Sequence, residues 1–131
     1  GVVPELELEG GEIPTVAACP LKQLVGMFVT KVPSMPRPRF EMWKEGAGAD
    51  AMRQRWKWLL SKDAVREDGT RYADSAKDAV EWFGRFFDTV ADSDFLCGRV
   101  GGPKSFDLTW LMKRENFVKV VQGNYANKAY A

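Results

Sequence analysis

Arg37, Arg39, Trp43, Arg53, Arg55, Lys57 and Trp58 fall within 22 residues of this chain. Cations interleaved with large rings suit single-stranded nucleic acid, because bases stack on the rings while positive charges follow the phosphates. Trp and Arg together also form the hot spots of protein–protein interfaces. The plainer reading is that both tryptophans are core residues and the charges solvate a helix face. Trp58 is a special case. On a helical wheel it points nearly opposite to Met52, Trp56, Leu59 and Leu60, so it is either exposed or packed against a second element.

Other chemistry is poorly supported by the residue types. Gly98-Arg99-Val100-Gly101-Gly102-Pro103-Lys104-Ser105 is superficially like a phosphate loop. The pattern GxxxxGK[ST] fails because Pro103 replaces the Gly before Lys104 and no strong strand precedes it. A surface loop is the expectation, in which Arg99 and Lys104 can still touch a phosphate. The chain has no His, so no Ser-His or Cys-His couple can form. Cys19 and Cys97 are too few for a zinc set. Asp92 and Asp94 flank a helix end, where acids usually cap or face water. Asp107 and Glu115 could serve carboxylate-pair hydrolysis only if the fold placed them together. These residues therefore predict no metal, no cofactor and no catalytic residue: a chain that binds rather than catalyses.

With 131 residues the chain is expected to be one domain with a real core. Its 45% apolar and 28% charged residues are ordinary for a globular protein, while five Trp and eight Phe make it rich in rings that bury large areas. The net charge of +1 is unevenly spread. Glu5, Glu7, Glu9 and Glu12 carry −4 without an opposing base, which leaves the remainder at +5. A mildly basic body permits contact with a polyanion without requiring it. The two cysteines, distant and in apolar settings, read as free buried thiols. No signal peptide or membrane-length apolar run is visible, so no membrane partner is expected and the cytoplasm is the expected location. The start at Gly1 suggests a tag remnant or a domain cut from a longer protein.

The elements that must position these groups read as helices. Residues 1–14, with Gly10-Gly11 and Pro14, are expected to form a flexible acidic linker, or a strand in need of a partner edge. Pro20 suits the first position of a helix whose stripe is Leu21, Leu24, Val25, Phe28 and Val29, with Pro33 as its stop. Gly26 within it would admit a closely packed neighbour. Pro33, Pro36 and Pro38 hold an extended stretch, then a short helix spans about 39–45. Gly46-Ala47-Gly48 breaks the chain, and Asp50 caps a helix to about Ser61. Arg66-Glu67-Asp68-Gly69-Thr70 is a tight turn. Ser75 or Asp74 caps a central helix ending near Ala91. Its stripe is Ala76, Val80, Phe83, Phe87 and Val90, widened by Ala79, Trp82 and Phe86. Two short helices follow, at about 106–112 and from Glu115 or Asn116. In the last, Phe117, Val120 and Val121 face inward and Gly123 is the C′ residue. Residues 126–131 are expected to fray.

Several segments share an order with a known family: Arg55-Trp56-Lys57-Trp58-Leu59-Leu60, Asp68-Gly69-Thr70-Arg71-Tyr72-Ala73 and Trp82-Phe83-Gly84-Arg85-Phe86-Phe87. After them come Ser93-Asp94-Phe95-Leu96-Cys97-Gly98-Arg99, Phe106-Asp107-Leu108-Thr109-Trp110-Leu111-Met112-Lys113 and Asn116-Phe117-Val118-Lys119-Val120-Val121-Gln122-Gly123-Asn124-Tyr125. This succession resembles the C-terminal region of phage and prophage replication initiators, the replisome organisers of the replication protein O kind. The similarity extends more weakly back to about Ile13. The loop at 99–105 departs from the pattern. The resemblance implies recruitment of the host replicative helicase or helicase loader, in the host cell cytoplasm and without a catalytic residue. It also implies a separate origin-reading domain, joined through the acidic segment.

The reading is thus an all-α protein: a compact bundle of four or five helices with an extended N-terminal segment, residues 15–128 forming a protein-interaction domain. Its expected contact surface is Arg53, Arg55, Lys57 and Trp58, with Arg37, Arg39, Arg99 and Lys104 as secondary candidates. Single-stranded DNA is the alternative partner. A third reading is a small phage-encoded inhibitor of a host protein.

Overall fold

The computed structural model describes residues 17–100 and 106–127. The linker expected at 1–14 lies outside them, as does Lys104. The fold is all-α. Four helices have eight or more residues: α1 (Leu21–Lys31), α3 (Ala47–Leu59), α4 (Ala76–Asp92) and α6 (Arg114–Val121). Two single-turn helices, α2 (Phe40–Trp43) and α5 (Leu108–Met112), complete the set among the described residues.

Helix α1 buries Leu24, Val25 and Phe28. Pro20 precedes it as the N-cap rather than opening it. The backbone N–H of Val32 bonds to the Phe28 carbonyl at 2.8 Å, and Pro33 then ends the helix. The glycine that admits a neighbour is Gly84 of α4, not Gly26. A Cβ on Gly84 would lie 3.1 Å from Cε of Met27 on α1, whereas nothing stands within 4 Å of one on Gly26.

Helix α3 begins three residues before the expected cap. Gly46 is the extended N-cap, and Asp50, already in the first turn, pairs with Arg53 at 2.9 Å. The early start follows from the Trp43 indole, which donates to Oγ1 of Thr109 at 2.9 Å and lies directly over Gly48. A Cβ at residue 48 would fall 2.5 Å from that hydroxyl oxygen and 2.6 Å from the indole nitrogen. Gly48→Ala is therefore expected to destabilise by about 1–3 kcal/mol despite alanine's better helix propensity. Urea denaturation checks this, and an unchanged midpoint would contradict the packing.

Helix α4 is capped by the Ser75 hydroxyl, which accepts from the Asp78 N–H at 3.1 Å. Its buried face is Ala79, Trp82, Phe83, Phe86, Phe87 and Val90. Ala76 is exposed and Val80 only half-buried, against expectation. The face is turned because Phe117 of α6 packs against this side, 4.8 Å from the Phe86 ring centroid and 5.6 Å from that of Trp82. Phe28 of α1 covers the other side, meeting Phe87 edge-on at 5.6 Å.

The C-terminal segments form a clamp of internal hydrogen bonds. The buried Ser93 hydroxyl donates to the Tyr125 carbonyl and accepts from the Leu96 N–H. The Asn116 side chain donates to the Trp110 carbonyl at 2.9 Å and so fixes α6 to α5. Gly123, at φ +86, ends α6 with Asn124 N–H reaching back to the Lys119 carbonyl. Asn127 accepts from the Asp94 N–H and donates to the Asp92 carbonyl. Residues 126–127 are therefore tied down rather than frayed, and the rest of the expected frayed stretch, 128–131, lies outside the described residues.

Both cysteines are free. Burial pushes the Cys19 thiol from its ordinary 9.0 up to about 11, opposed in part by the charge of Arg53. The folded state keeps this proton after the unfolded chain has lost it. The stability it contributes is full below about pH 9 and disappears as pH rises to about 11. Iodoacetamide at pH 8 should alkylate Cys19 in the folded chain at least ~10-fold more slowly than in urea. Equal rates would contradict this.

Candidate functional site

Two helices from opposite halves of the chain frame a cleft of about 510 Å³. Helix α3 supplies Gln54, Arg55, Lys57 and Trp58, and α6 supplies Arg114, Phe117, Val118 and Val121. Tyr72 and Asp63, from the connection between α3 and α4, complete its ends.

The rings give this cleft a fixed shape. Trp58 packs 5.7 Å from Tyr72 and 6.2 Å from Phe117. It is therefore half-buried and bridges α3 to α6, which is the second-interface alternative rather than the exposed one. Tyr72 is held by its own turn. Its N–H bonds to the Ala64 carbonyl, and the Arg66 guanidinium lies 4.9 Å over its ring. Gly69 at φ +88 lets that turn close, and the Asp68 carboxylate accepts from both the N–H and the hydroxyl of Thr70. Those bonds hold the Asp68 carboxyl below its usual range. Arg71 closes the α3 end by donating to the Leu60 and Ser61 carbonyls at 2.8 and 3.1 Å.

The charges in the cleft are not balanced. Arg55, Lys57 and Arg114 form no ion pair with any described acid, Asp63 included. The Arg55 Nε is buried without a hydrogen-bond partner. Burial, and then the nearby charge of Arg114, lower the Arg55 guanidinium pKa from its usual value. Two guanidinium groups thus repel each other across an apolar lining. An anionic group in the cleft would relieve that repulsion. The one hydroxyl in the lining besides Tyr72, that of Ser61, is committed to the Trp58 carbonyl at 2.6 Å.

Not all the expected contact residues converge on this cleft. Arg55, Lys57 and Trp58 do. Arg53 instead pairs with Asp50 on the exposed side of α3. Arg37 and Arg39 are exposed along the extended stretch before α2 and line neither this cleft nor the hollow beside it. Arg99 is a structural clamp, bonded to Asp94 at 2.6 Å and to the Ala91 carbonyl at 2.9 Å, where it closes the C-terminal end of α4. Sequence reasoning misses Arg114, because it directly precedes a helix that reads as core. The available signal is its place three residues before Phe117, one turn along the same face. Arg66 and Arg85 escape it too; with Tyr72 and Trp82 they line an adjoining hollow of about 400 Å³, which shares Tyr72 and Val121 with the α3–α6 cleft.

Among the described residues no group of three or more His, Cys, Asp or Glu could hold a metal ion. Nor, among them, is any helix long and apolar enough to cross a membrane. No protein family, curated protein or solved structure matches the chain.

Proposed function

We propose that this domain is a non-enzymatic recruitment module of the phage replication initiator kind, which docks onto a replicative helicase or helicase loader through the cleft between α3 and α6. The observation that carries this reading is the trio Arg55, Lys57 and Arg114, unpaired around an aromatic and apolar lining. Such a lining with cations at its edge has the make-up of a protein-binding hot spot. The segments that bear the resemblance to replication initiators build its walls: α3 around Trp58, the turn before Tyr72, and α6 around Phe117.

Capture of purified helicase and of purified loader on the immobilised chain tests the reading. Wild type should retain one of them. Arg55→Ala should melt at nearly the same temperature and retain clearly less. Equal retention by that variant removes the cleft from the account.

Single-stranded DNA is the alternative reading. It is favoured by the neighbouring hollow, which extends the row of cations past Tyr72 to Arg66 and Arg85. A dT oligonucleotide titrated at two salt concentrations discriminates. Phosphate contacts lose affinity steeply as salt rises, whereas an interface anchored on apolar side chains loses far less.

A further inference from the structure

We infer that the occupant of the α3–α6 cleft is an acidic protein segment with apolar anchors, one carboxylate set against Arg55 and Arg114 and an apolar side chain laid against the half-buried Trp58, Val118 and Val121. This rests on the docking reading above and names the chemistry of its partner.

Charge complementarity sets the first half of the inference. Arg55 and Arg114 line the same cleft, neither is in an ion pair with a described acid, and Arg114 is close enough to disfavour the Arg55 charge. Guanidinium groups are matched by planar, bidentate anions, and a carboxylate is the protein group of that shape. Lys57 at the rim adds a third positive charge, suited to another acid on the same segment.

The apolar lining sets the other half, and it favours a peptide over a nucleic acid. Bases bind by stacking on free ring faces. The rings here are turned to each other: Trp58 packs on Tyr72 and Phe117, and Phe117 stacks on Phe86. What the cleft presents is a half-buried apolar surface with Val118 and Val121 beside it. Asp63 at one end would repel a continuous phosphate chain, whereas a peptide can place a neutral or basic residue there. Two helices flanking a hydrophobic groove are also the usual receptor for an amphipathic segment.

The test is fluorescence anisotropy on the full chain, using a labelled helical peptide with Leu and Glu on one face. Its controls are the same peptide with Glu replaced by Gln, the same peptide with Leu replaced by Ala, and a dT oligonucleotide of equal length. The Leu/Glu peptide should bind. Affinity should fall at least ~10-fold for either control peptide, and again for Arg55→Gln and for Arg114→Gln, with melting temperatures held. Equal affinity for the Leu→Ala control would reduce the site to bare charge and overturn the inference. So would oligonucleotide binding that is tighter and is lost in the same two variants.

A competition arm separates this inference from the recruitment reading. If the captured helicase or loader is displaced by the Leu/Glu peptide, both stand. Capture that the peptide cannot displace sinks the acidic-segment inference and leaves recruitment through another chemistry. Peptide binding in the absence of any capture keeps the inference and overturns recruitment of these partners.

Discussion

Phe83→Ala is expected to lower the unfolding free energy by about 3–5 kcal/mol and to weaken binding only through the fraction of chain that it unfolds. Phe83 is fully buried at the centre of the ring network. Its centroid lies 5.5 Å from Trp82, 6.1 Å from Phe87, 6.2 Å from Trp56 and 6.3 Å from Phe117. It thereby touches α3, α4 and α6 at once. Truncation removes ring contacts on three sides and leaves a cavity that no single helix can close. The loss is a large share of the ~5–15 kcal/mol that a domain of this kind has in total. Guanidinium denaturation monitored by tryptophan fluorescence measures it. Below its lowered melting temperature, the variant should still bind in proportion to the fraction folded.

Arg55→Glu should have the opposite profile: partner binding falls at least ~30-fold, which is about 2 kcal/mol, while the fold is kept or slightly stabilised. Arg55 spends stability in the free chain, because its Nε is buried without a partner and Arg114 repels it. Reversing its charge turns that repulsion into attraction. The same change places a carboxylate where the partner's acid is held to sit. A calorimetric scan and a binding titration on one preparation separate the effects. A melting temperature that drops by ten degrees or more would mean that Arg55 is structural, and a titration identical to wild type would mean that the cleft is not used.

The contrast between these variants shows what the residue pattern conveys. Helix α1 is readable because an apolar stripe of period 3.6 ends at a proline, both of which are local facts. The glycine cap of α6 is local in the same way. The face of α4 is less so, since a helix carrying Trp82, Phe83, Phe86 and Phe87 has too many rings to show which side is deepest. That depends on Phe117, a residue of another helix. Gly26 and Gly48 make the same point in reverse. Gly26 has the setting of a packing glycine and faces open space. Gly48 has the setting of a chain break and sits inside α3 beneath Trp43.

The site is half visible in the sequence for the same reason. Arg55, Lys57 and Trp58 stand out as basic and aromatic residues on one helix. Arg53 shares that composition but is drawn off by Asp50, three residues earlier. Arg99 reads as a free phosphate contact, yet the Ala91 carbonyl at the end of α4 and the Asp94 carboxylate engage two of its five donors and fix its direction. Arg114 joins the cleft only through the docking of α6, which no local pattern announces. Pairing decides whether a cation is available, and pairing is a property of the folded chain.

Amide hydrogen exchange of the chain, free and saturated with captured helicase or loader, probes the central claim most directly. New protection should concentrate in residues 54–61 and 114–122, with the stretch around Arg37 and Arg39 unchanged. Protection confined to that stretch, or spread evenly with none over the α3–α6 cleft, would contradict it.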